Sequence, residues 1–149
     1  MSISTICNRE VVTVRADATV FEAAKLMRNH HVGDVVVVKE SQEQTIPLGI
    51  VTDRDLVIEV VATELDCKVI TVSDIMVRHL SVVTESAGVF ETIKMMTSKG
   101  VRRLPVVDEH GMLTGIVTLD DLLILLSNEI GSLTKLVTRE LKNEASSRR

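Results

Sequence analysis

The stretch "GIVTDRDL" at 49–56 returns as "GIVTLDDL" at 115–122. In each copy Gly-Ile-Val reads as the end of a buried strand. Thr, with Asp three residues on, reads as the box that opens a helix. The Thr hydroxyl accepts from one free N–H of the first turn and the Asp carboxylate takes another, worth about 1 kcal/mol per helix. The same pairs, Thr52 with Asp55 and Thr118 with Asp121, also suit a ligand. A hydroxyl at a helix start can bond a phosphate or sugar oxygen, and an acid there can hold both hydroxyls of a ribose. Capping and binding are compatible, so the phrase alone leaves both readings open.

The repeat extends outward from the phrase. Under a shift of 69, "ISTICNR" (3–9) falls on "VSDIMVR" (72–78), "ATVFEAAKLM" (18–27) on "AGVFETIKMM" (87–96), and "VVVKE" (36–40) on "PVVDE" (105–109). The shift then drops to 66, which places three extra residues in the turn near "SQEQTIP" of the first copy. Each copy orders the same elements. A short turn ("STIC" or "SDIM") leads to a strand near 11–14 or 80–83. A helix comes after it at 19–31 or 88–99, with Val20, Ala23, Ala24 and Met27 on one face and Val89, Thr92, Ile93 and Met96 on its counterpart. A hairpin comes next (35–39 with 48–52, 104–108 with 112–118), then a helix after Thr52 or Thr118.

The expected class is therefore α/β (α+β), with two β-α-β-β-α repeats. The first spans 1–66, the second 67–127, and a helical extension and tail occupy 128–149. A unit of about 60 residues buries too little surface to stand securely alone. The expected solution is a pseudo-twofold pair of sheets, and the run "VVVV" at 35–38 suits burial on both faces.

The extension is more helix than a repeat needs. Leu122, Leu126, Ile130, Leu133, Val137 and Leu141 form a stripe, with Gly131 as a candidate kink. The stripe predicts a homodimer in which each chain's helix clasps the other.

Composition narrows the function. The net charge of −4 and the absence of Trp and Tyr argue against a nucleic-acid partner. The basic end "SSRR" reads as solvated tail. No apolar run is long enough for a membrane span, and no leader pattern opens the chain. Cys7 and Cys67, without a CxxC, read as packing residues with reduced thiols, which suits a cytoplasmic protein. His30 and His31 suit a helix C-terminus better than a metal, and Met27, Met95 and Met96 suit the core. No catalytic motif is present, so no catalytic residue, resident cofactor or metal ligand is assigned and an enzyme is not expected.

The doubled β-α-β-β-α order, "SDIM", "GVRRLPVVD" and the twice-written "GIVTxxDL" together resemble a cystathionine-β-synthase (CBS) domain pair, or Bateman module. The resemblance covers residues 3 to about 127 and extends to small stand-alone bacterial CBS-pair proteins. It implies a non-catalytic regulatory module that binds adenosine-containing ligands between the repeats. The family's ligands include AMP, ADP, ATP, NAD-type dinucleotides and S-adenosylmethionine. It implies that Thr52 and Thr118 meet phosphate or sugar and that Asp55 and Asp121 hold ribose. Arg102 and Arg103, whose counterparts are Gly33 and Asp34, stand where relatives place cations near phosphate. Arg54, whose counterpart is Asp120, adds a cation beside the first site, so phosphate charge is expected to gather on one side. With no effector domain in the repeats, a regulated enzyme or transporter is expected in trans. A ligand-free structural or dimerisation module is the alternative.

Overall fold

The computed structural model describes residues 1–147; Arg148 and Arg149, half of the "SSRR" tail, lie outside the described residues. Two three-stranded sheets form, one per repeat. In the first, β1 (Thr13–Arg15) runs parallel to β2 (Asp34–Ser41), which pairs antiparallel with β3 (Gln44–Thr52). In the second, β4 (Val83–Thr84) runs parallel to β5 (Arg103–Val107), which pairs antiparallel with β6 (Leu113–Thr118). The first strand of each sheet starts two to three residues later than the sequence suggests, because only its C-terminal end reaches the ladder. The first hairpin is the longer, and it turns through Gln42 and Glu43, whose φ values of 48° and 67° build a tight two-residue loop.

The crossover helices α1 (Val20–His30) and α4 (Val89–Lys99) bury the faces their periodicity marks. Val20, Ala23 and Met27 go into the first repeat, and Val89, Thr92 and Met96 into the second. The strand run at 35–38 is fully enclosed. Val35 and Val37 join the core beneath α1, while Val36 and Val38 face Ile116 and Ile50 in the seam between the sheets.

The lead-in turns are exchanged between the repeats. Ile3, at the start of the chain, is fully buried in the second repeat's core with Val83, Leu104 and Leu122. Its N–H donates to the Ala87 carbonyl at 2.9 Å. Val72, in α3 (Val72–Ile75), lies in the first repeat's core and its N–H donates to the Ala18 carbonyl at 2.9 Å. Each lead-in then crosses the last strand of the repeat it enters, as isolated bridges Asn8–Ile116 and Ile50–Val77. This crossing explains the glycine of "GIVT". A Cβ on Gly49 would meet the Val77 carbonyl oxygen at 2.9 Å, and one on Gly115 the Asn8 carbonyl oxygen at 2.9 Å.

The closing helices differ. α2 (Asp53–Leu56) passes into a π turn (Val57–Val61), after which the chain doubles back. Val60 is buried there, and the Cys67 carbonyl accepts from the Phe21 N–H of α1. α5 (Leu119–Ser147) instead runs on for 29 residues. It continues through Gly131, so the candidate kink is not a break in the helix. Among the described residues, no helix is long and apolar enough to cross a membrane.

Candidate functional site

Both Thr-x-x-Asp phrases form the capping box. The Thr52 N–H donates to Asp55 Oδ2 at 2.9 Å, and Thr52 Oγ1 accepts from the Asp55 N–H at 3.2 Å. Thr118 and Asp121 repeat this at 3.0 and 3.2 Å. These bonds leave chemistry over. The Thr hydroxyl accepts with a lone pair and keeps its own proton to donate, while the carboxylate keeps Oδ1 as an acceptor. Two other caps show what the box does alone. Thr19 with Glu22 and Thr71 with Asp74 close helix starts, and the Thr71 hydroxyl already donates to Asp74 Oδ2 at 3.0 Å. Those bonds hold the Asp74 carboxyl below its ordinary value, the Thr71 backbone N–H contributing most.

The Thr52 and Thr118 boxes differ from those caps in their surroundings. Thr52, Asp53, Arg54 and Asp55 line a cavity of about 290 Å³ with Ile50, Val77, Val101, Arg102 and Arg103. The first repeat thus supplies the cap and Arg54, and the second repeat supplies two arginines. A second cavity, about 270 Å³, gathers Thr118, Leu119 and Asp120 with Arg102, Arg103, Val32, Gly33 and Asp34. Both volumes fall near the lower end for ligand sites. Asp121 is not among the residues lining that second cavity. Val32 also lines an adjoining 520 Å³ cavity, with Asn8, Glu10, Val11, Leu26 and His30 among its walls.

Charge is distributed unequally across this seam. Asp34 and Arg103 are equivalent positions of the two repeats, and they meet each other. Arg103 Nη1 donates to Asp34 Oδ1 at 2.8 Å, with both side chains largely shielded from solvent. Burial pushes the Asp34 carboxyl above its ordinary value despite the opposing pull of Arg103, and the neighbouring Asp53 charge adds to the rise. Arg102 stands 4.0 Å from Asp120, both exposed, in a weak ion pair. The Arg54 side chain has no carboxylate partner among the described residues. By sequence, Arg102 and Arg103 are also candidates to pair with another subunit's acids; in the fold they pair within the chain. Gly33 serves as a backbone acceptor, taking the Asp53 N–H at 2.9 Å, as Arg102 takes that of Leu119 at 2.7 Å. Among the described residues, no three His, Cys, Asp or Glu side chains cluster as a metal site.

Ile50, Val77, Val101 and Val32 line these cavities without having been singled out from sequence. Periodicity marks them as apolar, but it does not reveal that the exchanged lead-in brings Val77 over Ile50.

A profile of the CBS domain matches residues 3–62 and again 72–128. The chain belongs to the CBS domain family. Among curated relatives, an uncharacterised protein of Methanopyrus kandleri is 42% identical over 123 residues, covering 83% of this chain and 61% of that protein. The CBS domain-containing protein YhcV of Bacillus subtilis is 35% identical over 129 residues, covering 86% and 88%. The chain spans less than two thirds of the Methanopyrus relative's length. Among solved structures, a hexameric CBS-CP12 protein from bloom-forming cyanobacteria is 32% identical with a TM-score of 0.72, covering 83% of this chain and 69% of that one. The CBS pair of protein MJ0100, solved with 5′-methylthioadenosine and S-adenosyl-L-methionine, superposes with a TM-score of 0.76 over 87% of this chain and 98% of that one. At 24% identity that last likeness carries the fold alone. The two repeats are therefore a CBS pair, the kind of unit that serves as a regulatory module.

Proposed function

We propose that this CBS pair binds adenosine-containing ligands at the seam and signals their level to a partner enzyme or transporter in trans. The observation that carries this reading is the composite cavity at Thr52. A hydroxyl with a proton to donate, a carboxylate with an oxygen to spare and three arginines from two repeats surround one space walled by Ile50, Val77 and Val101. The apolar walls suit a purine, Asp55 suits ribose hydroxyls, and the arginines suit phosphate. A chain this size, fully liganded at about a hundred times Kd, gains about 2.7 kcal/mol, or roughly 5–10 °C of thermal shift. The test is a thermal-shift panel with AMP, ADP, ATP, NAD and S-adenosylmethionine. A shift with at least one ligand is expected. No shift with any of them sinks the sensor reading and leaves the ligand-free structural module.

The α5 face supports a second copy of this chain as partner. Leu119, Leu123, Leu126, Ile130, Leu133 and Val137 follow a heptad, with Ile130 and Val137 at a and Leu126 and Leu133 at d, a choice that favours two parallel strands. Leu123, Ile130, Leu133, Leu136, Val137 and Leu141 are each 55% exposed or more. At on the order of 100 Å² apiece they offer ~600 Å² per chain, most of what a standard interface takes from each partner. The stripe begins in an apolar groove of about 360 Å³ between α4 and α5, lined by Met96, Leu119, Leu122 and Leu126. In the first repeat the counterpart of Leu126 is Val60, buried where the chain doubles back. The second repeat has no such return, and α5 of a second copy supplies the missing cover.

A further inference from the structure

Arg102 and Arg103 line both seam cavities. We propose that the two cavities cannot both take phosphate: one phosphate-bearing adenosine ligand binds per chain, at Thr52, while the Thr118 cavity takes an adenosine ligand without phosphate. This rests on the adenosine reading above and assigns each site its ligand chemistry.

The repeats have diverged in charge where they face each other. Gly33, Asp34 and Arg54 of the first repeat stand where the second has Arg102, Arg103 and Asp120. At the Thr118 cavity the two arginines are matched by two acids, Asp34 at 2.8 Å from Arg103 and Asp120 at 4.0 Å from Arg102. A phosphate entering there must displace carboxylates already in place. At the Thr52 cavity Arg54 adds a third cation. The acids there are Asp55, whose carboxylate holds the cap and faces the ribose role, and the exposed Asp53.

The shared pair also couples the sites. A phosphate at Thr52 competes with Asp34 for Arg103. When it wins, Asp34 is left in a largely shielded position near Asp53, which lies against Gly33. The Thr118 cavity then becomes more negative, and its two arginines are already engaged. A second phosphate there meets repulsion and lacks its cations. A ligand without phosphate incurs neither cost and still finds Thr118.

The test is titration calorimetry of the full chain with AMP and, separately, adenosine. AMP is expected to saturate at one per chain, any second AMP binding at least tenfold more weakly, and adenosine at two. In the double variant Asp34→Asn/Asp120→Asn the second AMP is expected to tighten at least tenfold. A cooperative thermal unfolding transition and an unchanged far-UV circular dichroism spectrum report that the variant's fold is intact, and Asp120→Asn alone, an exposed change, should give part of the same gain. Two AMP sites of equal affinity in the wild type overturn the proposal, as does a folded double variant that still takes only one. If neither AMP nor adenosine binds, the adenosine reading itself has failed, a result distinct from equal AMP occupancy.

Discussion

α2 and α5 open on the same box, with Thr N–H to Asp carboxylate distances of 2.9 and 3.0 Å, and then part. α2 loosens into a π turn at Val57–Val61 and folds back over its own repeat, burying Val60. α5 continues to Ser147 with its apolar stripe uncovered. Duplication preserved what the fold needs, a strand end, a cap and a close-packed glycine. Divergence fell on residues that face the seam and on the helix beyond the cap. The first repeat satisfies its surface within the chain, and the second leaves its surface for something else.

The sharpest way to break this comparison is through α5. Ile130→Asp with Leu133→Asp is expected to weaken self-association at least a thousandfold, giving monomers in sedimentation equilibrium at tens of micromolar. AMP-induced thermal shift should survive in the same protein. Val57→Asp, on the exposed face of the first closing helix, should have the smaller effect. A wild-type chain that sediments as a monomer refutes the pairing. Orientation is readable from Ile130→Cys in a Cys7→Ser/Cys67→Ser background. Equivalent a positions meet in a parallel pair, so a disulfide-linked dimer is expected on oxidation.

The glycines of the repeated phrase come next. Gly49→Val and Gly115→Val should each cost about 1–3 kcal/mol, because the new side chain meets a backbone carbonyl that cannot swing away. Thermal unfolding should register that as a loss of roughly 3–10 °C. Gly131→Ala, with nothing within 4 Å of its added Cβ, is expected to stabilise α5 by up to about 1 kcal/mol. Wild-type stability in both Val variants would mean that the exchanged lead-ins do not press on these strands.

Those glycines also mark where sequence stops being legible. The doubled element order, the helix faces and both capping boxes are local and periodic, so they can be read directly. The destination of each lead-in cannot. "STIC" and "SDIM" read as turns that open their own repeats, yet Ile3 and Val72 are buried in the opposite ones. Nothing in a short turn encodes which core it enters. The π turn after Leu56 is equally silent, since the β-branched run "VIEVV" favours a strand on local propensity and carries no signal for a π turn. For the site, the repeat register pairs Asp34 with Arg103 as equivalents, but only the assembled seam shows them in contact at 2.8 Å.

The two ribose acids offer a smaller test. Asp55→Asn should reduce the AMP shift by more than half, and Asp121→Asn should leave most of it, since AMP is assigned to the Thr52 cavity. Asn keeps an oxygen acceptor for the cap, so basal melting should move little in either variant. An AMP shift unchanged in Asp55→Asn removes the ribose assignment.

The smallest effect separates two carboxylates by sign. Asp34 has its folded value raised by burial, against the pull of Arg103. The folded chain therefore holds that proton more tightly than the unfolded one, and stability falls as pH rises from the ordinary carboxylate value through the raised one. Asp74 has its folded value lowered, chiefly by the Thr71 backbone N–H. Its contribution is present above the ordinary value and is lost as pH falls toward the lowered one. Melting curves of wild type, Asp34→Asn and Asp74→Asn should therefore diverge in opposite directions. The advantage of Asp34→Asn over wild type should grow with rising pH across its window, and the deficit of Asp74→Asn should shrink as pH falls through its own. If the Asp34→Asn difference is flat from about pH 3 to 6, around the ordinary carboxylate value, the Asp34–Arg103 pair carries no desolvation strain for a phosphate to exploit. The coupling between the cavities would then rest on competition for the arginines alone.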